Sequence, residues 1–281
     1  MEMTLDSRIA QLEPALQAKW QALLENLRAL GSVMVAFSGG VDSGLLAAAA
    51  YYALGKNMLA VTFQSDVEED ESWELAQATA RKVGFPILGM PGGEFENPNF
   101  VANTPQRCYF CKKDTFTGLD KLAKERGFAF TAEGTNADDK NDYRPGMRAA
   151  DEVGTRSPLA EVGLVKSEIR ALARTLDLPV WDRPSSPCLA SRIPYGITVT
   201  RENVSMVAAG EKYLRGLGFT PVRVRFERAT ARLEVAPDQI VRLAEMHAEV
   251  SAKFKEIGFT YVAVDLTGFR SGSLNEVLKQ K

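Results

Sequence analysis

Four short apolar runs recur through the first half of the chain: SVMVAF (32–37), MLAVTF (58–63), FPILGM (85–90) and FAFTAEG (128–134). Each is separated from the next by a stretch of helical length. Runs of this size, rich in β-branched and aromatic residues, read as buried strands. Strands that alternate with helices imply a parallel sheet covered on both faces. The helices between them are expected at 44–55, from Glu68 to Lys82, and at 113–127, with further helices at 7–30 and 166–178. From 135 to 158 the pattern lapses into TNADDKNDYRPGMRAADEVGTRSP, which reads as a long functional loop. WDRPSSPC (181–188) is the expected boundary between a domain of residues 1–184 and a smaller one of residues 185–281. The smaller part holds a helix near 200–217, strands VRVRFE (222–227) and ARLEVA (231–236), a helix at 238–257 and a strand YVAVDL (261–266). The expected fold is α/β, a doubly wound parallel sheet with a smaller α+β C-terminal domain.

Between the first strand and its helix lies SGGVDS (38–43). Gly39 and Gly40 can adopt backbone angles closed to other residues, so successive N–H groups can line one concavity. The following helix adds its positive N-terminal end, which suits a polyphosphate. Ser38 and Ser43 can donate hydroxyl hydrogen bonds, and Asp42 can orient the loop or hold Mg²⁺. No GxxxxGK[ST] occurs, so this is not a Walker A loop.

Bulk properties narrow the class. Apolar residues make up 45% of the 281 and charged residues 25%, which excludes a disordered chain. A net charge of −2 gives no global basic field for long nucleic acid. No run approaches the ~20 apolar residues a membrane helix requires. The start, MEMTLDSRIAQLEPALQAKW, lacks the order of a signal peptide, so a cytoplasmic location is expected.

Three cysteines, Cys108, Cys111 and Cys188, an odd number in a reducing compartment, argue against a disulfide framework. Cys108–Tyr–Phe–Cys111 is a CxxC placed just before the helix at 113–127. A structural zinc site takes four ligands, and the single histidine, His247, falls in a helical stretch and reads as a surface or packing residue. Three thiolates suit a [4Fe–4S] cluster with one iron left open. Zinc, or three small hydrophobes with inert thiols, are the alternatives.

SGGxDS resembles the PP-loop of the ATP-pyrophosphatase superfamily, whose members adenylylate an oxygen of an acceptor and release pyrophosphate. That resemblance implies ATP contacts at Ala36, Ser38, Gly39, Gly40, Asp42 and Ser43, adenine beside Thr62 and Phe63, and a further nucleotide contact at Gly134. NDYRPGMRAA (141–150), SSPCLASRIPYG (185–196), VRVRFE and DLTGFRSGSLN (265–275) together resemble the LarE family. Those enzymes insert sulfur into a pyridinium dicarboxylate mononucleotide on the route to the nickel-pincer cofactor of lactate racemase. One LarE type sacrifices the sulfur of a single cysteine in the segment matching 185–192. The other holds a [4Fe–4S] cluster on three cysteines. With Cys188 and the CxxC both present, this chain looks like the cluster type, and Cys108, Cys111, Cys188 and Asp42 become its expected catalytic residues.

Arg144, Ser191, Arg192, Arg223, Arg225 and Arg270 are the candidates for the substrate's phosphate and second carboxylate, because guanidinium forks match such oxyanions. The alternative for Arg192, Arg223, Arg225 and Arg270 is a solvated basic face with salt bridges to Glu211 and Glu234. Asp138, Asp139 and Asp142 could bind Mg²⁺ or serve as turn residues. Expected partners are a small-molecule nucleotide substrate, a sulfide donor and further copies of the chain, with neither nucleic acid nor membrane. Two rival readings are a cluster-dependent tRNA thiolase and a non-catalytic adenine-nucleotide module.

Overall fold

The structure, a computed structural model, describes residues 5–68, 71–141, 145–184, 187–270 and 272–275. The chain divides into two compact units. The first takes in Met1–Ser65, Asp70–Glu94 and Cys108–Ser186, and the second Asp66–Glu69, Phe95–Arg107 and Pro187–Lys281. The second unit thus draws on two segments from the N-terminal half.

In chain order the elements begin α1 (Leu5–Ile9), α2 (Pro14–Leu30), β1 (Val33–Ala36), α3 (Val41–Leu54), β2 (Met58–Gln64), α4 (Glu71–Val83) and β3 (Ile87–Pro91). They continue through α5 (Pro98–Val101), α6 (Arg107–Glu125), β4 (Phe130–Ala132), α7 (Pro145–Val153), α8 (Pro158–Glu161) and α9 (Lys166–Thr175). The four strands make one parallel sheet in the order β3-β2-β1-β4. Val33, Val35, Ala60 and Ala132 pack into the cluster built with α2, α3 and α9, whereas Met34, Leu59 and Val61 meet Leu119 and Ala123 of α6. That split follows the alternation of side chains along a strand. Strand order reverses beside β1, so the loop after β1 opens at the point where such sheets bind ligands.

In the second unit, α10 (Arg201–Gly216) leads to β5 (Val222–Glu227) and β6 (Thr230–Val235), then α11 (Ile240–Glu245), α12 (His247–Ile257) and β7 (Tyr261–Val264). β5 and β6 are antiparallel, and β6 and β7 parallel. Val222, Val224, Leu233 and Val235 are buried with Leu214 of α10 and Phe254 of α12. A Cβ on Gly210 would lie 2.9 Å from the Phe254 ring, so α10 can approach α12 only through glycine. Cross-strand pairing sets Arg223 opposite Glu234 and Arg225 opposite Arg232 on the other face.

Four expectations change. The helix expected over 7–30 is broken, because Pro14 cannot continue it and starts α2 instead. The helix expected over 238–257 becomes α11 and α12. The stretch 135–158 is not a bare loop: it carries a 3₁₀ turn, Asp138–Asn141, together with α7 and α8, and α7 buries Ala149 and Ala150 against Phe116 of α6. Finally, α6 begins at Arg107, so the CxxC lies within its first turns rather than ahead of it. Among the described residues no helix is long and apolar enough to cross a membrane.

Candidate functional site

β1 carries the chain into residues 37–40, and α3 begins at Val41. Gly39 has φ +71°, and a Cβ there would stand 2.8 Å from the Ser72 carbonyl oxygen. Both facts require glycine. The Ser38 amide donates to Ser43 Oγ at 3.2 Å, the two hydroxyl oxygens are 3.1 Å apart, and Ser43 Oγ donates to the Gly40 carbonyl at 3.3 Å. Thr62 is buried and donates its hydroxyl to the Phe37 carbonyl at 2.7 Å, so this side chain holds the loop in place instead of facing a base. Gly134 follows β4, and its added Cβ would stand 2.8 Å from the Ser43 amide nitrogen. Its backbone therefore lies against the first turn of α3.

Asp42 is held from two sides. Asn136 Nδ2 donates to Oδ1 at 3.2 Å, and Lys166 Nζ forms an ion pair with Oδ2. Lys166 is the first residue of α9, and its amide donates to Asp138 Oδ2 at 2.8 Å. Asp139 Oδ2 accepts the Asn136 amide at 3.1 Å. Asp138 and Asp139 thus organise the turn that presents Asn136 and Lys166; Asp142 lies outside the described residues. Arg183 donates to the Gly39 carbonyl at 2.9 Å and to Ser72 Oγ at 3.1 Å. Sequence reasoning missed both Lys166 and Arg183. A cation opening a helix runs against the macrodipole, which is a legible sign at Lys166. Nothing local marks Arg183.

At the ends of β2 and β3 a cavity of about 190 Å³ is lined by Phe63, Pro91, Gly92, Glu94, Cys111 and Thr115 among others. Phe63, beside which adenine was expected, and Cys111 line the same space. Cys108 and Cys111, three residues apart, lie on one side of α6. Tyr109 between them donates its hydroxyl to Glu152 of α7 at 2.7 Å, Lys113 reaches the same carboxylate at 2.9 Å, and Arg148 stacks 4.2 Å above the Tyr109 ring. The Tyr109 and Lys113 hydrogen bonds hold the Glu152 carboxyl below its ordinary range. In this way α7 grips the cysteine turn.

In the second unit, the Cys188 loop is pinned by guanidinium groups. Arg192 is 0% exposed, and its Nε and Nη2 meet the Glu211 carboxylate at 2.8 and 3.0 Å. Its Nη1 donates to the carbonyls of Pro187 and Cys188 at 2.6 and 3.2 Å and to Ser191 Oγ at 2.9 Å. Arg225 clasps Glu234 at 2.9 Å through both Nε and Nη2, and donates to the Ser191 carbonyl at 2.9 Å. Arg107 donates to the Ala190 carbonyl at 2.8 Å. A buried guanidinium with its edges engaged presents no fork to a ligand. Arg192 and Arg225, expected to grip substrate, instead hold the loop that carries Cys188, and the Ser191 hydroxyl serves the same network. Burial pushes the Glu211 carboxyl up, but the Arg192 hydrogen bonds and the Arg192 and Arg223 charges outweigh it and leave it below its ordinary value.

Arg223 is mostly buried, with Nη1 on the Val222 carbonyl at 2.8 Å and its guanidinium 5.3 Å from the Phe269 ring centre. Arg270 is 34% exposed and stands 3.8 Å from Asp265. Arg223 also stands 3.8 Å from the Glu211 carboxylate, so both arginines face a carboxylate of their own unit, and Arg144 lies outside the described residues.

No family model matches the chain. A pyridinium-3,5-bisthiocarboxylic acid mononucleotide synthase of Lactiplantibacillus plantarum is 39% identical over 264 residues, covering 94% of this chain and 96% of that protein. The chain belongs to the LarE family. An uncharacterized protein of Synechocystis sp. is 44% identical over 264 residues, 92% of this chain and 98% of that protein. An uncharacterized protein of Methanocaldococcus jannaschii is 28% identical over 239 residues, 85% of this chain and 91% of that protein.

An iron–sulfur group in this LarE chain needs soft thiolate donors. Cys108 is exposed, Cys111 and Cys188 are half-buried, and none is in a disulfide, so the donor chemistry fits. Cys108 and Cys111 belong to the first unit and Cys188 to the second. Among the described residues no three His, Cys, Asp or Glu side chains stand together as a ready-made metal cage.

Proposed function

We propose that this LarE protein is an ATP-dependent sulfurtransferase that converts a carboxylate of a pyridinium dicarboxylate mononucleotide to a thiocarboxylate, on the route to a nickel-pincer cofactor. The observation that carries the ATP half is the strand–SGGVDS–helix turn, with Gly39 at φ +71° and the Ser38 and Ser43 hydroxyls 3.1 Å apart at a helix N-terminus. Similarity to the Lactiplantibacillus plantarum synthase supports the sulfur half.

The loop and helix end stabilise charge on the triphosphate, with Asp42 as the residue to hold Mg²⁺. Lys166 and Arg183, both bonded to this loop region, are the cations we assign to the phosphates. A substrate carboxylate oxygen attacks the α-phosphorus, and the bond to pyrophosphate breaks. Sulfide then attacks the acyl carbon, and AMP leaves with the electron pair of the broken C–O bond. A [4Fe–4S] cluster held by Cys108, Cys111 and Cys188 would supply that sulfide. Arg223, Arg270 and Arg144 are assigned to the substrate's phosphate and remaining carboxylate.

The test is anaerobic turnover with ATP, iron, sulfide and the dicarboxylate mononucleotide, followed by AMP, pyrophosphate and thiocarboxylate. Asp42→Asn should slow AMP formation by about 100-fold or more. Cys188→Ala should still form AMP but no thiocarboxylate, and should lose most of about four irons per chain. An anaerobic protein that binds zinc in place of iron, or makes no AMP with this acceptor, would overturn the proposal.

A further inference from the structure

Asp42 and Lys166 both belong to the first unit, and they hold each other. Their ion pair runs through Asp42 Oδ2 and Lys166 Nζ. The other carboxylate oxygen, Oδ1, accepts from Asn136 Nδ2 at 3.2 Å, so both oxygens are engaged by donors. A single carboxylate beside a polyphosphate loop fits Mg²⁺, which binds through one or two carboxylates and completes its shell with phosphate oxygens and water. Oδ2, however, suits only one cation at a time. An ammonium and a divalent ion on the same oxygen stand within a few ångströms of each other and repel.

We propose that Lys166 is an exchangeable counter-ion of the metal ligand. Its ammonium closes Asp42 to a free divalent cation, and it leaves Oδ2 for the triphosphate when a metal–nucleotide complex arrives. The inference rests on the ATP reading above and adds an order of binding: the metal enters with the nucleotide and not ahead of it. Three placements support it. Lys166 opens α9, whose N-terminal end repels a cation, so the ammonium keeps its place only beside an anion. Its backbone is anchored, because the Lys166 amide donates to Asp138 Oδ2 at 2.8 Å, and Asp139 Oδ2 holds the Asn136 amide of the same turn at 3.1 Å. Only the side chain is left to move. The Lys166 and Asp42 side chains are 36% and 23% exposed, so the ammonium can pass from one anion to another without crossing a packed core. Its flexible four-carbon stem gives it that reach.

The experiment titrates Mn²⁺, read by electron paramagnetic resonance, into wild type, Lys166→Met, Lys166→Arg and Asp42→Asn, each with and without a non-hydrolysable ATP analogue. Methionine keeps an unbranched stem and drops the charge; arginine keeps the charge. Without nucleotide, Lys166→Met should bind Mn²⁺ about 10-fold tighter than wild type, because the carboxylate no longer has to shed its ammonium first. Lys166→Arg should stay near wild type. With the analogue present the sign reverses: Lys166→Met should bind the Mn²⁺–nucleotide complex more weakly, since the triphosphate has lost a cation. A lysine that only braces α9 would lower both affinities or neither. Should Lys166→Met not fold, Lys166→Gln carries the same comparison. Equal Mn²⁺ affinity of wild type and the uncharged variant without nucleotide, with Asp42→Asn still losing the metal, would overturn the exchange. An Asp42→Asn protein that binds the Mn²⁺–nucleotide complex as wild type does would instead sink the metal assignment of Asp42. A wild type that binds no analogue would sink the ATP reading, a different outcome from an indifferent Lys166.

Discussion

A Cβ on Gly134 would stand 2.8 Å from the Ser43 amide and 3.1 Å from its Cα, and backbone atoms cannot swing aside as a side-chain end can. Gly134→Ala should therefore cost about 1–3 kcal/mol, measured by urea unfolding, and should weaken ATP binding through the displaced first turn of α3. Thr62→Val, nearly isosteric, leaves the Phe37 carbonyl without its donor and should cost about 1–3 kcal/mol. Glu211→Gln strands the Arg192 charge in the interior and should cost at least about 3 kcal/mol. Burial raises the carboxyls of Glu211 and Asp265. The Arg192 bonds at Glu211, and the Thr267 amide and Arg232 at Asp265, more than reverse this, so both end below their ordinary values. A carboxyl with a lowered folded pKa contributes stability that is complete above its unfolded value and disappears as pH falls through the folded one. Unfolding free energy of the wild type should accordingly decline below about pH 4.5, and Glu211→Gln should flatten that decline. A parallel decline in the variant would assign the acid sensitivity elsewhere.

At the scale of elements, α7 and α6 act as a pair. Phe116 is buried against Ala149 and Ala150, and the Tyr109–Glu152–Lys113 bonds close the solvent edge. Phe116→Ala should cost about 3–5 kcal/mol and raise hydrogen exchange across 145–153 and the first turns of α6 together. Exchange confined to one helix would separate them. The composition of 135–158, full of Asp, Gly and Arg, hid α7, because its helical signal is only a narrow apolar side that becomes meaningful once Phe116 lies opposite. The CxxC misled in the same way. Its polar, cysteine-bearing residues looked like a lead-in, whereas Thr104 and Pro105 already mark a helix start.

Over the whole molecule, the second unit depends on residues 95–107. Asn103 has φ 51° and is fully buried, with its Nδ2 on the carbonyls of Pro194 and Ile197, while the Gly196 amide returns to the Asn103 carbonyl at 3.0 Å. A fragment of 187–281 made alone should therefore show no cooperative unfolding, and a peptide of 95–107 added in trans should restore it. Cooperative unfolding of the bare fragment would show that the turn at 193–197 stands unaided. The sequence by itself determined the parallel sheet, the helices between its strands and the loop after β1. Each is set by periodicity or by backbone angles that only certain residues allow, and these act over a few neighbours. Tertiary structure decided between the two readings open for Arg192 and Arg225. Arg192 and Arg225 look like anion binders until Glu211 and Glu234 arrive from α10 and β6 to neutralise them. Arg107 is ordinary until burial removes its water, and among the described residues no carboxylate takes its place. Charge balance in an interior is fixed by groups far apart in the chain, and only the folded arrangement brings them within reach.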